Sequence, residues 1–150
     1  MTPQQKLIPF LCYSKENKSV VREFSAKLKS ETWIDPWFDE EDILPGQLWE
    51  NSVIEAVRRS DAVIIFLSTI ALSNEGFFHR EIKLAIDTAM EKPQGTIFII
   101  PVRIDDCVVP EMLLKYQYVD YFGNTEHIDQ TFSFLIAALK YRAQALKILV

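Results

Sequence analysis

Short apolar runs alternate with segments of helical period along the whole chain. The runs are rich in β-branched and aromatic residues, whereas apolar residues between them recur every three or four positions. The five runs are Leu7–Tyr13, Trp33–Phe38, Asp61–Ser68, Thr96–Val102 and Tyr116–Tyr121. Apolar strands that alternate with helices are typical of a parallel sheet covered on both faces. The pattern predicts an α/β fold, a flavodoxin-like three-layer sandwich with five parallel strands in the order 2-1-3-4-5 and helices on both faces.

Length and charge limit the possible functions. A chain of 150 residues, 49% of them hydrophobic, is long enough for one core, so we expect residues 1–150 to form a single domain. The formal net charge of −5 argues against a nucleic-acid partner, because such proteins concentrate Lys and Arg on one face. The absence of a secretory signal and of a membrane-spanning run predicts no membrane contact and a cytoplasmic location. The apolar ending at Val150 favours the N-terminal part of a longer protein.

Support for a metal or cofactor site is weak. Cys12 and Cys107 lack the spacing of zinc ligands and are expected to be reduced core thiols. The acidic run Asp39–Asp42 offers oxygen ligands to Mg²⁺ or Ca²⁺, but it lacks the alternating spacing and glycine of an EF-hand, so a solvated loop is favoured. The glycine patterns of Rossmann folds and P-loops are absent. We therefore expect no metal and no bound dinucleotide cofactor.

The residues after the first and third predicted strands form the expected site. In a sheet of order 2-1-3-4-5, ligands bind outside the carboxyl ends of these strands, where the winding direction reverses. Tyr13–Lys15 and Ser68–Glu81 should therefore converge. Glu81 lies at the margin of an apolar helical stripe that continues at Ile82 and Ala85. Such a carboxylate often binds a ligand or has a perturbed pKa, although the alternative is a first-turn acid stabilised by the helix dipole.

Two other kinds of site fit the same region less well. Ser14, His79 and Asp39 have the residue types of a hydrolase triad, but no Gly-x-Ser-x-Gly turn carries the serine. A phospho-receiver needs acids after strand one and an Asp after strand three, where this chain has Tyr13-Ser14 and Ser68. Both interpretations are therefore disfavoured.

The same segments resemble the sequence boxes of a Toll/interleukin-1 receptor (TIR) domain. Phe10–Ser14 is similar to the first box, and Asp39–Gly46, with its Ile-Leu-Pro-Gly, to the second box, known as the BB loop. Further similar segments follow in order: Trp49–Val57, Ser60, Val63–Ser68, Ser73 and Phe77–Ile82. The third box, a Phe-Trp pair near the last helix, has no counterpart. The order and spacing of the boxes give a resemblance to TIR domains of bacterial type over nearly the whole chain.

The resemblance implies a function for Glu81. The TIR family contains scaffolds that signal by TIR–TIR association and enzymes that cleave NAD⁺ at the nicotinamide-ribosyl bond. Glu81 matches the catalytic Glu of the enzymes' Trp-x-x-x-Glu pattern, with Phe77 in place of the Trp. Topology and resemblance together predict the substrate-binding residues Tyr13, Ser14, Lys15, Asp39, Trp49, Ser73 and Phe77. NAD⁺ is then a substrate rather than a cofactor, and the products are nicotinamide and ADP-ribose or a cyclic isomer.

The alternative is a non-catalytic domain that recruits other TIR domains. The interaction loop predicted for it consists of Ile43, Leu44, Pro45 and Gly46. The acidic BB loop and the pair Arg58-Arg59 carry opposite charges, which suits head-to-tail association, although two solvated faces explain them equally well. The hypotheses differ at Glu81, because only an enzyme needs that carboxylate beside an open pocket.

Overall fold

The computed structural model describes residues 5–38, 44–73 and 77–150. The described strands are β1 (Pro9–Cys12), β2 (Ala62–Leu67), β3 (Ile99–Arg103) and β4 (Val119–Asp120). The described α-helices are α1 (Lys18–Lys29), α2 (Trp49–Arg59), α3 (Thr69–Ser73), α4 (Phe77–Met90) and α5 (Thr125–Ala145). Short 3₁₀ helices occur at Lys15–Asn17 and Glu111–Leu113. Strands and helices alternate as the apolar pattern predicts, which confirms the α/β class.

The sheet is parallel, with the order β1-β2-β3-β4. Phe10 pairs with Val63 on β2, and Ile65 of β2 pairs with Pro101 on β3. Every residue of β2 is buried, because it has a strand on each side and helices over both faces. Parallel pairing places the carboxyl ends of the strands at one edge, where the site is expected.

The predicted second strand, Trp33–Phe38, is not a strand. Two isolated parallel bridges join it to the first segment, Leu7 with Ile34 and Phe10 with Trp37. Continuous pairing would need a backbone donor at position 9 for the carbonyl of Asp35, and Pro9 has none. The prediction of five strands is therefore wrong among the described residues, and the order 2-1-3-4-5 is not confirmed by a continuous ladder.

Two apolar clusters cover the two faces of the sheet. Successive side chains of a strand point to opposite faces, so Ile64 and Phe66 lie in one cluster, while Val63 and Ile65 lie in the other. The first cluster contains buried apolar residues of α1 and α5, among them Val21, Phe24, Leu28, Leu135 and Leu139. The second contains residues of α2 and α4, among them Val53, Val57, Phe78, Ile82 and Ala85. The predicted covering of both faces is confirmed.

The helix ends follow local hydrogen bonding. α5 begins at Thr125, because Oδ1 of Asn124 accepts a 2.8 Å hydrogen bond from the backbone nitrogen of His127 and so caps the helix. The segment Asp105–Lys115 holds only the short 3₁₀ helix Glu111–Leu113. Among the helices of the described ranges, none combines the length and apolar character needed to cross a bilayer.

Candidate functional site

Glu81 lies on α4, packed against the end of β1. It is only 5% exposed, between the buried residues Phe78 and Ile82 of the same helix. The Sγ atom of Cys12 donates a hydrogen bond of 3.3 Å to Oε2 of Glu81. The two residues are 69 positions apart in sequence, so the contact exists only because α4 packs on the face to which Cys12 points. The contact brings Glu81 of the second predicted segment against the residue that directly precedes Tyr13–Lys15.

A second contact lies at the same edge of the sheet. Ser68, the residue after β2, is 1% exposed, and its hydroxyl donates a 2.7 Å hydrogen bond to Oδ1 of Asn17. The same hydroxyl oxygen accepts a 3.0 Å hydrogen bond from the backbone nitrogen of Ala71. The end of β2 is thereby tied both to the start of α1 and to α3.

The residues after β1 form a tight turn at this edge of the sheet. Tyr13 is 8% exposed, and its ring stacks on that of Phe38 with centroids 5.2 Å apart. The hydroxyl of Ser14 donates to the carboxylate of Glu16, a hydrogen bond that lowers the pKa of this exposed carboxyl. Lys15 is exposed. Of the three predicted nucleotide contacts, Tyr13 and Ser14 are buried and Lys15 is exposed.

Asp105 marks the third strand end at this edge. Its two carboxylate oxygens each accept a hydrogen bond of 3.1 Å from the backbone nitrogen of Thr69, and Oδ1 also accepts from the Thr69 hydroxyl at 3.3 Å. Asp105 therefore satisfies a donor at the start of α3, as a capping side chain does. Nearby, burial raises the pKa of the Cys107 thiol to about 11, so this thiol is protonated at neutral pH.

Three residues of this edge, Cys12, Asn17 and Asp105, were not predicted as part of the site, and Ser68 was predicted only as the start of the converging segment. The signal for Cys12 is the two-residue period of β1, which places its side chain on the face of Phe10, opposite Leu11. The signal for Asp105 is its position just after a predicted strand. Both cysteines are buried and belong to no disulfide, in line with the prediction of reduced core thiols, yet burial alone does not describe Cys12, because its thiol contacts a carboxylate.

Several predicted residues lie outside the described part of the structure. These are Asp39 and Ile43, together with the side chains of Trp49 and Phe77; the proposed acidic metal loop and the triad with Asp39 are outside it as well. Ser73 is described and exposed, and its hydroxyl donates to the carbonyl of Ile70 within α3. Leu44, Pro45 and Gly46 form an exposed turn before α2.

Among the described residues, the surface depressions lie away from Glu81. The carboxylate is buried, and two described surface depressions lie elsewhere. One, of about 770 Å³, follows the outer face of α5 around Ser133 and Phe134. The other, of about 290 Å³, lies on α2 around Ile54 and Arg58. Neither of these two depressions is lined by Glu81.

The arrangement has one clear chemical capability. A carboxylate held in an apolar face by a hydrogen bond is preorganised to stabilise a nearby positive charge, because little solvent screens it. The helix-borne Glu81 is such a group, at the edge where parallel sheets bind ligands.

Solved structures share this fold. The TIR domain of the Toll-related receptor TRR-2 from Hydra magnipapillata has a TM-score of 0.72 at 18% identity, covering 88% of this chain and 97% of that one. A prokaryotic SEFIR domain has a TM-score of 0.63 at 16% identity, covering 89% and 92%. The TIR domains of the activated Roq1 resistosome have a TM-score of 0.58 at 17% identity, covering 93% and 84%.

The family follows from the sequence rather than from these distant structures. At such low identities the structural likeness shows the fold alone. No curated protein sequence matches the chain. Residues 10–136, however, match the TIR domain family, a span that includes both Cys12 and Glu81. The chain belongs to the TIR domain family.

Proposed function

We propose that the chain is an NAD⁺ nucleosidase that cleaves the nicotinamide-ribosyl bond, with Glu81 as the catalytic residue. The observation that carries the proposal is the position of this carboxylate, 5% exposed in an apolar helix face at the carboxyl end of the sheet. A buried ionisable group is unfavourable for stability unless it is hydrogen-bonded, and such groups concentrate at functional sites. Packing alone would be satisfied by an apolar residue at position 81.

One carboxylate suffices for this reaction. The bond links ribose to a pyridinium nitrogen, so nicotinamide leaves as a neutral molecule and needs no proton from a general acid. The remaining requirement is to stabilise an oxocarbenium-like ribose, as in glycoside hydrolysis. Glu81 would do so electrostatically from beside the ribose, and it would bind the ribose hydroxyls. Water as acceptor gives ADP-ribose, and an acceptor atom within the nucleotide gives a cyclic isomer.

The strand ends supply groups for the rest of NAD⁺. Lys15 is exposed beside the buried Tyr13 and Ser14, where its ammonium group suits a pyrophosphate oxygen. Trp49 begins α2 and would stack on the adenine, and Phe77 begins α4, four positions before Glu81. Ser73 and Asp39 would complete the rim. These assignments extend the predicted contacts to a bound nucleotide.

Burial of Glu81 supports a proposal of regulated access. Glu81 is 5% exposed, so a change at the surrounding surface that exposes its carboxylate would favour NAD⁺ binding, and association between copies of the domain would supply the energy for this change. The Roq1 structure is that of an activated resistosome. We therefore place the chain in a cytoplasmic signalling or immune-defence protein, as an effector module switched on by self-association.

A specific observation favours a second function, an interaction module that recruits other TIR domains. Leu44 is 65% exposed and Leu48 is 71% exposed, on either side of the Pro45-Gly46 turn. Two exposed leucines in one short segment provide apolar area for a partner. In this case Glu81 would be dispensable, whereas changes in the turn would abolish recruitment.

The experiment that separates the two functions is NAD⁺ consumption by the concentrated or artificially clustered domain, with nicotinamide and ADP-ribose products resolved by chromatography. Glu81→Gln removes the charge at constant size, and we expect it to lower turnover about a hundredfold or more. Glu91→Gln makes the same change at an exposed residue just after α4 and serves as the matched control. Retained turnover in folded Glu81→Gln would remove Glu81 from the catalytic role. No turnover in the clustered parent would favour the interaction module.

A further inference from the structure

Cys12 presents its thiol to Glu81 from a rigid part of the sheet. It is fully buried, it is the last residue of β1, and it pairs with Ile65 of β2. On its other edge, β1 receives the bridge between Phe10 and Trp37. The thiol is therefore fixed relative to the sheet, whereas Glu81 belongs to a helix that packs over it. The 3.3 Å contact between Sγ and Oε2 joins these two layers.

The surroundings make this hydrogen bond important for the carboxylate. Cys12 lies in an apolar cluster with Phe10, Ile65, Phe78 and Ile82. In such an environment a carboxylate stays ionised only if donors hold it, and each donor also restricts its rotamers. A displacement of about 1 Å at a catalytic group is enough to lower a rate about a hundredfold.

We infer that Cys12 is a positioning residue, whose thiol fixes the Glu81 carboxylate in the orientation that the reaction needs. The inference rests on the proposed function and adds to it a residue that does not touch the substrate. A role in packing alone would depend on the volume and apolarity of the side chain. A positioning role depends on its ability to donate a hydrogen bond.

Two substitutions separate these roles, because each keeps one of the two properties, apolarity or hydrogen-bond donation, and removes the other. Cys12→Val keeps an apolar side chain that suits a strand but removes the donor. Cys12→Ser keeps a donor but introduces a hydroxyl among apolar neighbours, with a shorter bond to the β-carbon, so Glu81 must move to meet it. A positioning role predicts that activity falls in the order parent, Cys12→Ser, Cys12→Val. A packing role predicts that Cys12→Val is the more active variant.

The kinetic test compares kcat and KM for NAD⁺ in the three proteins, with urea unfolding to verify that each is folded. We expect Cys12→Val to lower kcat about ten- to a hundredfold with little change in KM, and Cys12→Ser to lose less than about tenfold. Parent-like kcat in Cys12→Val, in a protein that cleaves NAD⁺, would overturn the inference and leave the role of Glu81 intact.

A measurement without substrate tests the contact by itself. The infrared difference between the parent and Cys12→Ser isolates the S–H stretching band of Cys12. A thiol that donates to a carboxylate absorbs at lower frequency than one without an acceptor, so we expect the band to shift upward in a Glu81→Ala background. An unchanged band would overturn the inference. If the band shifts but the parent does not cleave NAD⁺, the proposed function is refuted. The hydrogen bond from the Cys12 thiol to the Glu81 carboxylate is supported all the same.

Discussion

Ser68 donates its hydroxyl hydrogen to Oδ1 of Asn17 over 2.7 Å, and this bond joins the segments that follow β1 and β2. The same oxygen accepts from the backbone of Ala71 at 3.0 Å, so one buried side chain connects three elements at the edge that carries Glu81. The side chain of Asn17 makes this bond instead of capping α1, for which no side-chain cap is seen.

Replacement of Ser68 by Ala should therefore destabilise the domain. The substitution leaves the buried N–H of Ala71 without its side-chain acceptor, and we expect the free energy of unfolding to fall by about 1–3 kcal/mol. Urea unfolding followed by tryptophan fluorescence measures the change. Ser30→Ala is the control, because the Ser30 hydroxyl also bonds a neighbouring residue but is exposed, and we expect it to change stability by less than about 0.5 kcal/mol. Equal effects of the two substitutions would contradict the bridging role of Ser68.

The pair formed by Arg103 and Asp120 makes part of the stability depend on pH. Nε and Nη2 of Arg103 donate to the two carboxylate oxygens at 2.6 and 2.8 Å. The hydrogen bonds from Arg103 lower the pKa of Asp120 below its ordinary value of 3.8. A lowered pKa in the folded state means that the contribution is fully present above the ordinary pKa and is lost as the pH falls through the folded-state pKa.

Asp120→Asn should consequently lower the free energy of unfolding most near neutral pH. We expect it to lower the free energy of unfolding by about 1–2 kcal/mol at pH 7, with the difference from the parent shrinking as the pH falls below 3.8. Urea titrations across this range give the result. Asp106→Asn is the control, since Asp106 contacts the same arginine at 3.2 Å but its side chain is 91% exposed. A constant deficit of Asp120→Asn at every pH would refute the linkage.

The fold was predictable where the sequence pattern is local. β2 and the stripes of α1, α4 and α5 follow from apolar periodicity, because a buried strand and an amphipathic helix each impose a repeat on the chain. The second predicted strand failed for a reason outside its own sequence, since the missing donor belongs to Pro9 on the neighbouring segment. Strand pairing depends on the backbone donors and acceptors of both segments. The apolar pattern of one segment therefore does not show that the neighbouring segment lacks a donor.

The candidate site, like the fold, was predictable from local sequence but not in its contacts between distant segments. Glu81 was predicted from its place beside an apolar stripe and from the resemblance to TIR enzymes, and its catalytic role stays a prediction. Its contact with Cys12 was not found, because the thiol and the carboxylate meet through the packing of α4 on β1. The apolar sequence around Cys12 predicts a core residue, and only the three-dimensional contact identifies its thiol as a hydrogen-bond donor.

Gly46 is expected to resist substitution because of its backbone conformation. Its φ is +91°, which L-residues with a β-carbon rarely adopt, whereas the space around an added β-carbon is open. Gly46→Ala should lower the free energy of unfolding by about 1 kcal/mol, and Gly46→Asn should cost less, since Asn tolerates positive φ better. Urea unfolding of both variants measures this. A smaller cost for Ala than for Asn would show that the turn relaxes to negative φ.

Leu48 allows stability and association to be changed in opposite directions. It is 71% exposed and occupies the N-cap position of α2, where no side-chain hydrogen bond caps the helix. Leu48→Asp introduces a preferred capping residue and should raise the free energy of unfolding by about 0.5–1 kcal/mol. If the segment from Leu44 to Leu48 is the contact between copies, the buried charge should weaken self-association at the same time. Sedimentation velocity over a range of concentrations, beside urea unfolding, measures both. Val108→Asp is the control, because Val108 is 86% exposed in a different loop and should leave association unchanged. A more stable Leu48→Asp variant that associates as strongly as the parent would exclude this segment as the contact.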